Sequence, residues 1–285
     1  MIFTPEVAAD LFPFLRGKWG RLLYKPCMHL SGIDHVNRIH EAVERQGIAP
    51  GPDFAKGILD QMALEFLIGN PERLSFPEGP FITISNHFYG HIDGICLVDI
   101  VGHVRPKMKV MVNQMLMPIW GLGPNFIAVN PTVNKRETTS TSIGGVKNAL
   151  QQLKEGEPLS LFPSGAVADL KPREGWTLQE RPWQEAAIKL IRKAHVPVVP
   201  IRFFDRNSWF YYSLGLLDYR IRFVRLFHEL FNKRGTHPRM DIGEAISVEE
   251  QNAVPEEEFG HFLRQRVYQM PLPESFTLRS ELWKK

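Results

Sequence analysis

With 285 residues, the chain is long enough for one large α/β domain carrying a small N-terminal extension. Its formal net charge of +3 gives no overall signal for a polyanionic partner, so nucleic-acid binding is not expected. The two cysteines, Cys27 and Cys96, have neither metal-ligand spacing nor the density of a disulfide framework, which fits a reducing compartment.

Residues 5–25 mix apolar and basic side chains, and Leu11, Leu15, Trp19 and Leu22 can share one helical face. Arg16, Lys18, Arg21 and Lys25 could then meet anionic headgroups, or the helix could simply pack on the domain; Pro13 limits where it begins. No secretory leader and no uninterrupted apolar run of about 18 residues is visible, which argues against a membrane span. A Pro/Gly-rich break at 47–52 leads into a second helix, Asp53 to Leu67.

From residue 79 the pattern changes to strands alternating with amphipathic helices. Phe81–Ser85 reads as a buried strand, followed by a helix from Ile95 through Val101. Lys107–Val112 is a second strand ending at Asn113, and Phe126–Val129 a third. A helix from Thr138 places Ile143, Val146, Ala149, Leu150 and Leu153 on one face. Leu159–Phe162 is a fourth strand, and the next helix carries Trp183, Ala186, Ala187, Leu190, Ile191 and Ala194. Val196–Phe203 is a fifth, whose prolines suggest a sheet edge or an irregular end. Arg220–Arg234 reads as a basic, apolar-striped helix, suited to packing on the sheet or to membrane contact. A strand at Met240–Gly243 then precedes Ser247-Val248-Glu249-Glu250, which has the form of a capping box, and the tail past Pro271 reads as peripheral.

This alternation predicts an α/β fold with a mostly parallel central sheet flanked by helices and an N-terminal helical extension. The extension is drawn at 1–78 and the α/β domain at 79–285. Ligands of such sheets bind beyond the carboxyl ends of the strands. Asn86-His87, Ser164-Gly165 and Asp205-Arg206-Asn207-Ser208 all fall at such ends.

His87 and Asp93 are the candidates for chemistry. An imidazole can take a proton at neutral pH when a carboxylate fixes its tautomer. Positions six apart lie about 240° apart around a helix, so His87 must sit on the loop and fold back towards Asp93. On spacing alone, a loop histidine beside a helix-terminal aspartate without catalytic duty stays open. His87 and His91 have the spacing of a helical zinc pair, but Gly90 and Gly94 oppose a regular helix and the glutamate of HExxH is absent, so no metal is expected.

Asn86-His87 followed closely by Asp93-Gly94, after an apolar strand, resembles the motif of the PlsC-type glycerolipid acyltransferases. Their His-x4-Asp spacing is x5 here. That spacing is similar to a bacterial hemolysin-like or lyso-ornithine-lipid acyltransferase branch, with Asn-His-Pro-x-Gly-Gly-x-Asp-Gly; Phe88 replaces its Pro and His91 its second Gly. Phe162-Pro163-Ser164-Gly165 resembles the family's Phe-Pro-Glu-Gly block, with Ser164 for Glu, and Val196–Pro200 its proline-spaced block. The second block is similar to Phe126–Pro131 but lacks the family's arginine, leaving Arg136 or Arg206 to recognise a phosphate.

The resemblance implies transfer of an acyl group from an acyl carrier protein or coenzyme A thioester to the hydroxyl of a lyso-lipid of lyso-ornithine or lysophospholipid type. No bound cofactor is implied, and contact with the cytoplasmic face of the inner membrane would be peripheral. His87 is the implied general base and Asp93 its orienting group; Asn86, Asn113, Phe162, Pro163, Ser164, Gly165, Arg206 and Asn207 are the implied substrate-binding residues. Backbone N–H groups near Gly165, or at the helix starting near Asp93, would stabilise an oxyanion or bind an acidic headgroup. A serine hydrolase built on Ser164 lacks the G-x-S-x-G elbow. A non-catalytic, membrane-associated lipid binder of the same fold is the alternative.

Overall fold

The computed structural model describes residues 18–130 and 140–283, so Leu11, Pro13, Leu15, Arg16 and Arg136 lie outside the described residues. Strand β2 (Ile82–Ser85) is buried along its whole length. It pairs in parallel with β5 (Leu159–Leu161) on one side and β8 (Val198–Phe203) on the other. Full burial on both faces explains its uninterrupted apolar and β-branched composition. Of its polar members, Thr83 is satisfied internally, its Oγ1 donating to Ser160 Oγ at 2.7 Å.

The sheet extends from this centre in both directions, in the order β10-β1-β9-β8-β2-β5-β3-β4. Its remaining strands are β1 (Leu67–Gly69), β3 (Lys109–Asn113), β4 (Phe126–Val129), β9 (Arg239–Ile242) and β10 (Thr277–Leu278). Only β8–β9 and β1–β10 run antiparallel, so the sheet is mostly parallel, as the alternation of elements predicts. Helices cover both faces. One core includes Ile33, Phe54, Leu97 and Phe227; the other includes Ala149, Leu190, Phe259 and Leu263.

The N-terminal region contributes α1 (Lys18–Ser31), α2 (Ile33–Arg45) and α3 (Pro52–Gln61). The last lies against α4 (His91–Val104), the crossover between β2 and β3. Residues before and after position 78 therefore share one sheet and one apolar core. The opposite face is covered by α5 (Ser140–Lys154), α6 (Glu185–Ala194) and α10 (Glu256–Tyr268), with the short α9 (Val248–Asn252) before α10. No helix among the described residues is long and apolar enough to cross a membrane.

Several local expectations are corrected. The helix expected from Asp53 to Leu67 ends at Gln61, because Ala63 turns the chain with a φ of 46° and Leu67 N–H bonds Pro238 O to enter the sheet. Val198–Phe203 is not an edge but lies between β9 and β2. Pro200 is tolerated there because its missing donor faces a break in the β9 side. Val198 pairs with Ile246, Pro200 O accepts from Gly243 N–H, and regular antiparallel pairing covers Ile201 to Phe203. The tail past Pro271 is not peripheral: β10 closes the sheet beside β1, and Arg279 is buried in ion pairs with Asp99 and Asp60.

Several elements have no counterpart in the pattern reading, among them α2, α10, β1 and β10. The hairpin β6 (Asp169–Lys171) and β7 (Thr177–Gln179) forms a separate two-stranded sheet. Helix α7 (Trp209–Leu217) precedes α8 (Tyr219–Asn232), which packs inward through Leu226, Phe227 and Leu230.

Candidate active site

The carboxyl end of β2 delivers Asn86 and His87 into a loop that folds back onto α4. Asn86 is spent on architecture: its amide donates to Phe203 O and accepts from Phe203 N–H, each at 2.7 Å, and locks β2 to β8. His87 follows on the loop, as the 240° argument requires. Gly90 makes the return possible with a φ of +88°, and a Cβ there would come within 3.1 Å of Leu226. The helix then starts at His91, four residues earlier than the apolar pattern suggests.

Asp93 is wholly buried in the first turn of α4. One oxygen, Oδ2, accepts from His87 Nδ1 at 3.0 Å, Tyr89 N–H at 3.0 Å and Gly90 N–H at 3.1 Å. Burial pushes its carboxyl pKa up, opposed by these hydrogen bonds from His87, Gly90 and Tyr89. A carboxylate accepting at Nδ1 places the histidine proton there and leaves Nε2 as the nitrogen available to a ligand. The His87 ring also lies against Phe162, with centroids 4.2 Å apart. Packing and hydrogen bonding together hold one imidazole orientation.

Behind the loop, Asn207 donates to Phe88 O at 3.2 Å and Tyr89 O at 3.0 Å, and the Tyr212 hydroxyl donates to Phe88 O at 2.8 Å. A second buried carboxylate, Glu180, fastens the other side. Its Oε1 accepts from His87 N–H and from Ser164 Oγ, the latter at 3.0 Å. Its Oε2 accepts from Tyr268 Oη at 2.6 Å and Trp183 Nε1 at 3.3 Å.

His87 and Phe162 line a cavity of about 510 Å³ beyond the carboxyl ends of β2, β5, β3 and β4. Most of its wall is apolar, including Ile95, Leu116, Val146 and Leu190. Asn113, Pro163 and Gly165 also lie on the wall. Two strand-end clusters thus meet at one cavity, as the topology predicts.

A family model described as Acyltransferase matches residues 25–273. The chain belongs to the acyltransferase family. This acyltransferase is similar to the Lyso-glycine lipid O-acyltransferase of Bacteroides thetaiotaomicron, with 24% identity over 225 residues covering 76% of this chain and 79% of that protein. The Phocaeicola vulgatus protein of the same name is 26% identical over 226 residues, covering 76% and 77%. Among solved structures, the 1-acyl-sn-glycerophosphate (LPA) acyltransferase PlsC from Thermotoga maritima matches with 15% identity and a TM-score of 0.45, covering 76% of this chain and 79% of that one.

Other residues expected to bind substrate divide between wall and scaffold in the acyltransferase. Ser164 is buried, and its hydroxyl donates to Glu180 Oε1 at 3.0 Å, with Ala166 O an alternative acceptor at the same distance, rather than facing the cavity. The Gly165 N–H is bound to Phe162 O at 2.9 Å, and those of Tyr89 and Gly90 to Asp93, so none of these three is a free oxyanion donor. Asn113 caps the following turn by accepting from Met115 N–H at 3.0 Å. Asn207 holds the His87 loop from behind, and Arg206 lies outside on the ring of Trp209, at 4.2 Å. His91 packs on Phe227, and burial, with the nearby His87, lowers its pKa to about 4. Among the described residues, the side chains grouped closely enough to share a metal are instead His29, Asp34 and His35. Glu180 and Tyr212 escaped sequence reasoning altogether, since neither a lone Glu in a polar stretch nor one Tyr of an apolar aromatic run carries a spacing signal.

Proposed function

We propose that the chain transfers a fatty acyl group from an acyl carrier protein or coenzyme A thioester to the hydroxyl of a lyso-lipid, with His87 as general base. The observation that carries this reading is the 3.0 Å His87–Asp93 hydrogen bond on the wall of an apolar cavity. The names of the two bacterial relatives support O-acylation of a lyso-amino-acid lipid.

In this mechanism the acceptor hydroxyl oxygen attacks the thioester carbonyl carbon while His87 Nε2 takes its proton. Asp93 stabilises the imidazolium through Nδ1. The tetrahedral intermediate collapses by breaking the C–S bond, and the imidazolium returns its proton to the departing thiolate. The acceptor supplies the nucleophile, so no enzyme hydroxyl or thiol is required. Alignment of both substrates in the cavity supplies much of the acceleration.

Peripheral contact with the cytoplasmic face of the inner membrane accounts for how a lipid reaches such a site. Trp209, Phe210, Leu216, Leu217, Tyr219 and Ile221 are all at least 46% exposed at the α7–α8 corner. Arg206 stacks on Trp209 and Arg225 on Phe210, at 4.2 and 5.3 Å, so apolar surface and positive charge coincide there. That combination suits the interface of an anionic bilayer.

The test offers wild-type protein and His87→Ala a panel of lyso-lipids with labelled acyl carrier protein and coenzyme A thioesters. Diacylated product with at least one pair, reduced about 10²–10⁴-fold in the variant, is expected. Equal rates in both proteins would remove His87 from the chemistry.

A further inference from the structure

A second, smaller cavity of about 260 Å³ adjoins the first, between the β6–β7 hairpin and the α7–α8 pair. Its charged lining consists of Lys171, Arg181, Arg222 and Asp169, three cations against one carboxylate. Arg222 is almost fully buried; it donates to Ala168 O at 3.0 Å and pairs with Asp169 at 2.8 Å. Arg181 Nε donates to the other oxygen of the same carboxylate at 3.0 Å, so Asp169 holds both guanidinium groups in place. Among the described residues, the terminal amino groups of Arg181 bond no acceptor. Gly215 opens the space: a Cβ there would lie 2.9 Å from Arg222 Cδ. With three cations against one carboxylate the lining is net positive, which favours an anionic ligand.

Arg222 and Tyr219 line both cavities, which places the two side by side. Tyr219 is also part of the exposed apolar corner, half accessible to solvent. We infer that this pocket binds the oxyanion of the acceptor's headgroup, a carboxylate or a phosphate, through Arg181, Arg222 and Lys171 while the acyl chain runs into the cavity containing His87. The inference deepens the proposed lyso-lipid acyl transfer and rests on it. A guanidinium fork fits either oxyanion bidentately, and the pocket's place beside the membrane-facing corner assigns the anion to the lipid acceptor rather than to the thioester donor's phosphates.

The experiment uses the full chain with short-chain acceptors below their micelle concentration: a lyso-lipid bearing N-linked glycine with a free carboxylate, its glycine methyl ester, and lysophosphatidic acid. Binding is measured by titration calorimetry and transfer by steady-state kinetics, in wild type, Arg181→Gln and Lys171→Gln. Both substituted side chains are partly exposed, and retention of the fold is checked by circular dichroism. Wild type is expected to bind one or both anionic acceptors about tenfold more tightly than the ester. Arg181→Gln should remove about tenfold of that preference and raise the acceptor KM to match, leaving ester binding and the donor KM unchanged. Equal binding of acid and ester by wild type, an equal loss for both in the variant, or a rise confined to the donor KM would overturn the assignment. Charge-selective binding without product formation would sink the acyl-transfer reading and leave the pocket standing; product formation without charge selectivity would do the reverse.

Discussion

The His87 side chain has its tautomer set by Asp93, its ring plane by Phe162 and its backbone by Glu180. The first two partners are visible in the motifs, six residues away and at a neighbouring strand end. Glu180 is 93 residues distant and marked by nothing local. Its two oxygens receive four donors, from His87, Ser164, Trp183 and Tyr268. Glu180→Gln turns one acceptor end into a donor and so confronts two of those donors with an NH2 group. The expected outcome is a kcat lowered at least about tenfold with a smaller change in acceptor KM, because the histidine backbone shifts. A stability loss of about 1–3 kcal/mol in urea unfolding should accompany it. An unchanged kcat beside that stability loss would make Glu180 a purely structural residue.

Helix α4 joins two charged centres, with Asp93 in its first turn and Asp99 and His103 towards its end. At the far end, Arg279 from the C-terminal segment pairs with Asp99 at 2.9 Å, and Trp283 stacks on His103 at 4.8 Å. Burial disfavours the His103 cation, but the side chain, carbonyl and charge of Asp99, together with Asp53, outweigh it and raise its pKa from 6.5 to about 9. A raised folded-state pKa stabilises the fold in full below the unfolded value and loses that contribution as pH rises through the folded one. Stability is therefore expected to fall between pH 6.5 and about 9, and His103→Gln should flatten that slope. His40, pressed between Phe54 and Trp120, acts in the opposite sense: burial lowers its pKa to about 4, so its neutral packing is lost as pH drops from 6.5 towards 4. Chemical denaturation across pH, in wild type and His103→Gln, checks both limbs; an unflattened alkaline slope in the variant would assign it to other groups.

Across the whole molecule, the central strands and the helices between them were legible because each is long enough, or apolar enough, to show its period. The three-residue strands β1, β6 and β7 and the two-residue β10 are too short for any alternation, and tertiary pairing alone makes them strands. Of the two readings the β8 prolines left open, the irregular end holds, because a break in one neighbour and not a sheet edge accommodates Pro200. In the site, His87, Asp93 and Phe162 were legible from motif and strand-end position. Asn86, Ser164 and Asn207 belong to the same loops but serve the scaffold, a difference made by side-chain direction, which spacing does not encode. Arg181 and Arg222 stayed hidden because Asp169, on a hairpin that carries no pattern, is what brings them together. Proton transfer at His87 depends on Asp93 holding the imidazole in one tautomer. The measurement that tests it most directly is kcat for Asp93→Asn, with the fold verified by circular dichroism. A fall of about 10²–10⁴-fold with acceptor KM little changed is expected, because the amide no longer enforces the Nδ1–H tautomer. A kcat within about twofold of wild type would contradict it.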